Sequence, residues 1–365
     1  MAETQAEGPL AIAAGRSGLT SRYRAASGSD VLAVVYSQAR VPDGKFGLER
    51  LFAITRHACL FLNAPDASWY RGFEAEIDER LDKAVAASRP ARIIHYGSSK
   101  GAYGALLTGL RRGDGEILAF GPEFELGLPG SRSAEAGVAS VGGVELLHGI
   151  ESFDGPLRIV FGAFDPFDAA GAAAIMRLAN RPAGLRVSLL SSSHASHDHL
   201  YSLNIIRKVI ARFDRDLDAE CRKRGLAAAF DVDELAAFAG AGLRHYRGEA
   251  VDPAALEGLA ERNPGAALLL ADVLAGRGEI LRALDRLARL QKRIDGDPAL
   301  ARLPKRWRKT VWFKRLALTY RSGPDTAAEA LANEAVDRFP EDLRWRSRQE
   351  VEAAAFASGG GEEPA

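Results

Sequence analysis

The stretch that most constrains this chain is 91–110, ARIIHYGSSKGAYGALLTGL. It opens with an apolar run, Ile93-Ile94-His95-Tyr96. Gly97-Ser98-Ser99-Lys100-Gly101 follows, and then an Ala/Leu-rich segment with helical spacing. Strand, tight turn and helix in that order form the setting a G-x-S-x-G nucleophile turn needs. The turn is too sharp for side chains at its flanks, so glycine stands at Gly97 and Gly101. Ser99, between them, is expected to be pushed out of the turn with its hydroxyl exposed. The helix after it aims its positive end at that hydroxyl and at any oxyanion formed beside it. An ordinary strand-to-helix turn has the same letters, so the rest of the chain has to decide.

Around this stretch, apolar runs alternate with helical patterns. Leu10–Ala14 and Leu19–Ala26 read as a hairpin about Gly15-Arg16-Ser17-Gly18. Val31–Tyr36, Ala58–Leu62, Ile117–Phe120, Leu157–Phe161 and Val187–Leu190 read as further strands. Gly47–Arg56, Phe73–Ala87, Ala169–Leu178 and Leu200–Phe213 read as helices. Strands apolar on both faces and alternating with helices predict an α/β fold: a mostly parallel, doubly wound sheet over residues 9–214. Ligands in such sheets bind at the carboxyl ends of the strands, where Ser99 lies. Residues 122–150 are rich in Gly, Pro and Ser and read as irregular. Residues 1–8 and 356–365 read as a disordered leader and tail.

From about Asp218 to Ala355 the strand pattern stops and everything reads as helix. Pro264, Pro298 and Pro340 close helical blocks and lie 34 and 42 positions apart. The basic run Ala301–Arg308 supplies the longer interval. Trp312 stands 28 before Pro340, with Ala328 and Ala335 between; the block before it keeps Leu270, Leu274, Gly278 and Leu290 but lacks the Trp. This spacing resembles a degenerate tetratricopeptide repeat and implies an all-α helical-repeat domain over 218–355. A plain helical bundle is the other reading.

Two loops downstream of Ser99 carry further chemistry. Leu157–Phe161 ends in Gly162-Ala163-Phe164-Asp165-Pro166-Phe167-Asp168, and the last strand is followed by Ser191-Ser192-Ser193-His194-Ala195-Ser196-His197-Asp198-His199. With the serine turn, these segments resemble the α/β-hydrolase superfamily, whose order is Ser, then Asp or Glu, then His. The resemblance spans 9–214 and implies a serine esterase or acyltransferase working through a catalytic triad and an acyl-serine intermediate, with no cofactor. It implies Ser99 as nucleophile and Asp165, in the G-x-x-D-P loop, as orienting acid, with Asp168 left to cap the next helix. For the base, His197 comes first, just outside its helix with Asp198 as N-cap; His199 is second and His194 third. The oxyanion hole would use the Lys100 backbone N–H and a second N–H from Ser37 or Gln38, although the lipase-type His-Gly pair is absent. Trp69 and Tyr70 either wall a substrate pocket or pack their loop down. The 122–150 segment occupies a common lid position, with Arg132 as a substrate contact. The Lys100 side chain either attracts an anionic substrate or is simply solvated. Residues 96–103, YGSSKGAY, also resemble hydrolase-like proteins that modify surface glycans, which points towards a carbohydrate ester.

Competing chemistries fit less well. H-x-x-H-x-H at His194, His197 and His199 has metal-ligand character but no Cys cluster or H-E-x-x-H beside it. Gly97-x-x-x-Gly101 follows about five strands, whereas a dinucleotide turn follows the first. Lys plus Arg and Asp plus Glu both total 48, so no general affinity for nucleic acid or an anionic membrane is expected. The two cysteines, Cys59 and Cys221, do not make a disulfide framework, and no run has the length of a membrane span or the form of a signal peptide. A cytoplasmic setting is expected. The partners implied are a small-molecule or glycan ester and a protein bound by the helical region. The rival class is an inactive hydrolase scaffold whose helical region does the work by binding that protein.

Overall fold

The computed structural model describes residues 18–356. Seven strands form one sheet: β1 (Thr20–Arg24), β2 (Val31–Tyr36), β3 (Ala58–Asn63), β4 (Arg92–Ser98), β5 (Glu116–Phe120), β6 (Leu157–Gly162) and β7 (Leu185–Leu190). Their order is β1-β3-β2-β4-β5-β6-β7. The pairs β2–β3, β2–β4, β4–β5 and β5–β6 are parallel, and β1 lies antiparallel to β3 at the edge. Every residue of β2 and β3 is buried, as two-sided apolar strands require. The Lys100–Arg112 helix packs on β2, β4 and β5, and the Glu74–Ser88 helix on β2 and β3. This is the α/β architecture that the alternation predicts, with β4 at the centre of the sheet.

One local expectation falls outside the described residues and another changes. The first arm of the N-terminal hairpin, Leu10–Ala14, lies outside the described residues. The second arm pairs with β3, in the register Thr20↔Asn63 to Arg24↔Cys59. The helix expected over Leu200–Phe213 is two helices, Ser196–Ser202 and Ile205–Ile210, broken at Asn204, whose φ of 58° leaves the right-handed helical region. The first begins four residues earlier than the apolar periodicity indicates, which places His197, Asp198 and His199 inside a helix.

Contacts divide the chain into two compact units that interleave in sequence. Of the described residues, one comprises 18–161, Ala174–Ser188 and Leu200–Glu220, and the other Gly162–Ala173, Leu189–His199 and 221–356. In the second, consecutive helices pack on one another, including Ala254–Ala260, Pro264–Gly276, Ile280–Gly296 and Lys305–Ser322. Pro298 and Pro340 each stand two residues past a helix end, whereas Pro264 is the first residue of its helix and opens that block. Ala328 and Ala335 are fully buried among Trp312, Leu316, Phe339 and Trp345. No helix among the described residues is long and apolar enough to cross a membrane.

Candidate active site

Ser99 is the single residue between β4 and the Lys100–Arg112 helix. Its backbone stands at φ 55° and ψ −121°, a region that non-glycine residues rarely enter and that costs on the order of 1–3 kcal/mol. The surroundings hold it there. Its N–H donates to Phe120 O at 2.8 Å, and its own carbonyl accepts from Ala102 N at 2.9 Å and Tyr103 N at 3.1 Å. A Cβ on Gly97 would stand 2.0 Å from Gly101 O, and one on Gly101 would stand 2.2 Å from Tyr36 O. Both flanking glycines are thus forced by close backbone approach. The Lys100 and Gly101 N–H groups open the helix and have no intrahelical acceptor.

The Lys100 side chain neither meets solvent nor faces outward. It is fully buried, and its ammonium donates to Ala64 O at 2.7 Å and Asp66 Oδ1 at 2.6 Å. It ties the serine turn to the loop after β3. Burial pulls its pKa down, and the Asp66 carboxylate opposes that. Of the two candidates for the second oxyanion donor, Ser37 is spoken for, because its N–H donates to Leu62 O at 2.9 Å. Gln38, half-buried at the same strand end, remains.

The capping aspartate of the loop after β6 is not the expected one. Asp165 Oδ1 accepts from Phe167 N at 3.0 Å and Asp168 N at 3.1 Å, so Asp165 is the cap of the Pro166–Met176 helix. Asp168, expected as that cap, sits inside the first turn and points into the interior. Its Oδ1 lies 2.7 Å from His194 Nδ1, and its Oδ2 accepts from Gly162 N at 2.7 Å. Asp168 is 1 % exposed and His194 5 %. A carboxylate can only accept, so His194 Nδ1 carries the proton, and Nε2 is the basic nitrogen of the neutral ring. Burial pushes the Asp168 carboxyl up, while His194 and the Gly162 N–H work against that rise.

The other two histidines are placed differently. His197 Nδ1 lies 3.5 Å from Asp198 Oδ1, the carboxylate of its helical neighbour. His199 Nδ1 meets Ser192 Oγ at 3.1 Å, and burial pulls its pKa down to about 4. Among the described residues, the group whose ligand atoms converge is Asp165, Asp168 and His194, not the three histidines. Asp168 Oδ2 and Asp165 Oδ1 are engaged by backbone N–H groups of their own segment and Asp168 Oδ1 by His194, which suits a held imidazole better than a coordination sphere.

The sequence held a signal for Asp168. It is the one charged residue in PFDAAGAAAIM, and a charge on so apolar a helix must find a buried partner. For His194 the signal was weaker, since it depended on where the following helix begins.

Trp69 and Tyr70 are interior packing. Both are fully buried. The Tyr70 hydroxyl donates to Ser37 O at 2.9 Å and Leu62 O at 3.0 Å, and its ring fills the space beside Gly104. Arg132 opens a short helix, Arg132–Glu135, within the segment expected to be irregular. The buried Glu123 carboxylate accepts from Arg132 N at 3.0 Å and Ser133 N at 3.1 Å. A second helix, Val144–Glu151, lies further along the same segment.

No protein-family model matches this sequence, and no curated protein matches it. Solved structures similar to it include the capsule O-acetyltransferase of Neisseria meningitidis serogroup A, 16% identical, covering 52% of this chain and 92% of that one with a TM-score of 0.38. An alpha-beta serine hydrolase homologue from Coxiella burnetii is 14% identical, with 59% and 100% covered and a TM-score of 0.40. Est1E from Butyrivibrio proteoclasticus is 13% identical, with 60% and 98% covered and a TM-score of 0.39.

Proposed function

We propose that this chain is an ester-acting serine enzyme of α/β-hydrolase type. Ser99 attacks an ester or thioester carbonyl. His194 accepts the Ser99 proton at Nε2, and Asp168 holds its Nδ1–H and offsets the imidazolium charge that develops. The Lys100 backbone N–H and that of Gln38 stabilise the oxyanion of the tetrahedral intermediate. The alcohol or thiol leaves with the proton carried by His194, giving acyl-Ser99. Water or another hydroxyl then gives up a proton to His194 and takes the acyl group, and His194 returns that proton to Ser99 Oγ as it leaves. No cofactor enters this cycle.

The observation that carries this reading is the backbone of Ser99. A strained non-glycine residue at the carboxyl end of the central strand, pinned by two glycines that nothing larger can replace, is the kind of strain that marks functional sites. The Asp168–His194 pair supplies what a serine hydroxyl lacks, a buried imidazole in a defined tautomer. Asp168 and His194 take the acid and base roles here because a short buried hydrogen bond joins them.

Labelling with a fluorophosphonate probe tests the reading. Wild type should label and Ser99→Ala should not, with hydrolysis of p-nitrophenyl acetate falling by about 10⁴-fold or more in the variant. Persistent labelling in Ser99→Ala, or none in folded wild type, would sink it. A panel of O-acetylated sugars beside the aryl ester then asks whether the substrate is a carbohydrate ester.

A further inference from the structure

Arg262-Asn263-Pro264-Gly265 starts a helix as sequence rules prescribe, with Asn at the cap and Pro at the first position. Asn263 Oδ1 accepts from Gly265 N at 2.8 Å and Ala266 N at 3.4 Å. The cap needs only that oxygen. The other end of the amide does something else: Nδ2 donates to Ala163 O at 2.9 Å, a buried bond spanning 100 residues of sequence. Asn263 is 2 % exposed, so this donor has no water to fall back on.

The acceptor lies at the root of the acid–base loops. Ala163 N donates to Leu190 O at 2.8 Å and Phe164 N to Ser192 O at 2.9 Å, which joins the approach to Asp168 with the approach to His194. Four further contacts from the C-terminal helices fall on the same short segment. A Cβ on Gly265 would stand 2.2 Å from Phe164 O, and one on Gly242 would stand 2.4 Å from Pro166 Cβ. The Phe164 ring lies 5.9 Å from Trp307, and Phe167 stacks on Tyr246 at 5.5 Å.

We infer that Asn263 is a positioning residue for the Asp168–His194 pair, and that the helices carrying it are part of the acid–base apparatus rather than only a platform for a partner. This rests on the reading of His194 as base and Asp168 as its holder. The amide fixes Ala163, Ala163 and Phe164 fix the spacing of the two loops, and that spacing sets the 2.7 Å contact between carboxylate and imidazole.

The test is Asn263→Ser in the full chain. Serine still caps a helix but is too short to reach Ala163. The readouts are thermal melting, p-nitrophenyl acetate kinetics over pH, and the His194 Nδ1–H proton resonance in protein with labelled histidine, assigned by its loss in Asp168→Asn. The inference expects a melting curve close to wild type and a displaced or missing resonance. It also expects kcat lower by about ten- to a hundredfold with KM nearly unchanged. The acidic limb of the pH profile should move to lower pH, because an imidazole that has lost its carboxylate holds its proton less tightly. A variant that melts earlier but keeps the resonance, the kcat per folded site and the pH profile overturns it, since Asn263 is then only a cap. If Asn263→Ser does not fold, Asn263→Asp keeps the capping oxygen, removes the donor and is read the same way. If wild type neither turns over ester nor labels at Ser99, the enzyme reading fails, while the resonance still decides whether Asn263 holds the pair.

Discussion

The Ser99 turn and the loops after β6 and β7 are built on different principles. Five contiguous residues make the turn. Its shape follows from backbone collisions, since any side chain on Gly97 or Gly101 would strike a carbonyl. The Asp168–His194 pair spans 26 residues, and its root at Ala163 is held by an amide 100 residues further on. The first kind of site is written locally and is legible in a sequence. The second depends on which of several similar residues the tertiary structure turns inward.

The largest effect expected within this comparison is at Asp168. Asp168→Asn should keep the fold and lower kcat by about 10³–10⁴-fold, because an amide in place of the carboxylate no longer fixes the His194 tautomer. His194→Ala should fall as far, and His197→Ala far less. Steady-state kinetics on the three variants check this. If His197→Ala is the dead variant, the base is His197, and the inward-facing pair is structural.

Next in size is the turn itself. Gly97→Ala places a methyl group 2.0 Å from Gly101 O, so either β4 or the following helix must move. The loss should be on the order of 2–4 kcal/mol of stability, read from a urea melt, with Ser99 labelling lost as well. A Gly97→Ala variant as stable and reactive as wild type would show that backbone collision does not shape the turn.

What the sequence made legible follows the same division. The strands from Val31 onward and the Lys100–Arg112 helix could be read from apolar runs and glycine spacing. So could the candidate nucleophile, because strand, turn and helix are local patterns. Which of Asp165 and Asp168 caps the helix could not. Both lie within one turn of a helix start, and the capping role falls to whichever precedes the first helical residue. Once Pro166 opens the helix, Asp165 must cap and Asp168 must turn inward. The placing of the histidines differs from expectation for a related reason, since the helix starts at Ser196 and takes in His197 and His199, leaving His194 in the loop. Trp69 and Tyr70 were ambiguous by type, being large enough to line a pocket or fill a core; their burial decides for the core.

A third effect concerns pH. Burial holds the His199 pKa at about 4, below its ordinary value of 6.5, and lowers those of His57 and His95 as well. The unfolded chain therefore binds protons that the folded chain refuses. His199 stabilises fully above about pH 6.5 and progressively less as pH falls towards 4, by on the order of 3 kcal/mol in all. Urea midpoints at pH 7.5 and 4.5 should converge in His199→Gln relative to wild type. Parallel losses in the two proteins would remove His199 from the acid response.

The smallest expected effect is the most discriminating for the two aspartates. Asp165→Ala removes the acceptor for two backbone N–H groups at a helix start, which costs about 1 kcal/mol. Asp165→Asn keeps the cap, since asparagine caps as well as aspartate, and removes only the charge. That charge helps to raise the Asp168 carboxyl, so its loss should leave Asp168 more readily ionised, not less. Asp165→Ala should therefore melt slightly earlier, Asp165→Asn should melt near wild type, and both should keep kcat within about threefold. If instead Asp165→Asn keeps its stability and loses activity as deeply as Asp168→Asn, the carboxylate that matters to the chemistry is the cap, and the short buried bond to His194 serves the fold.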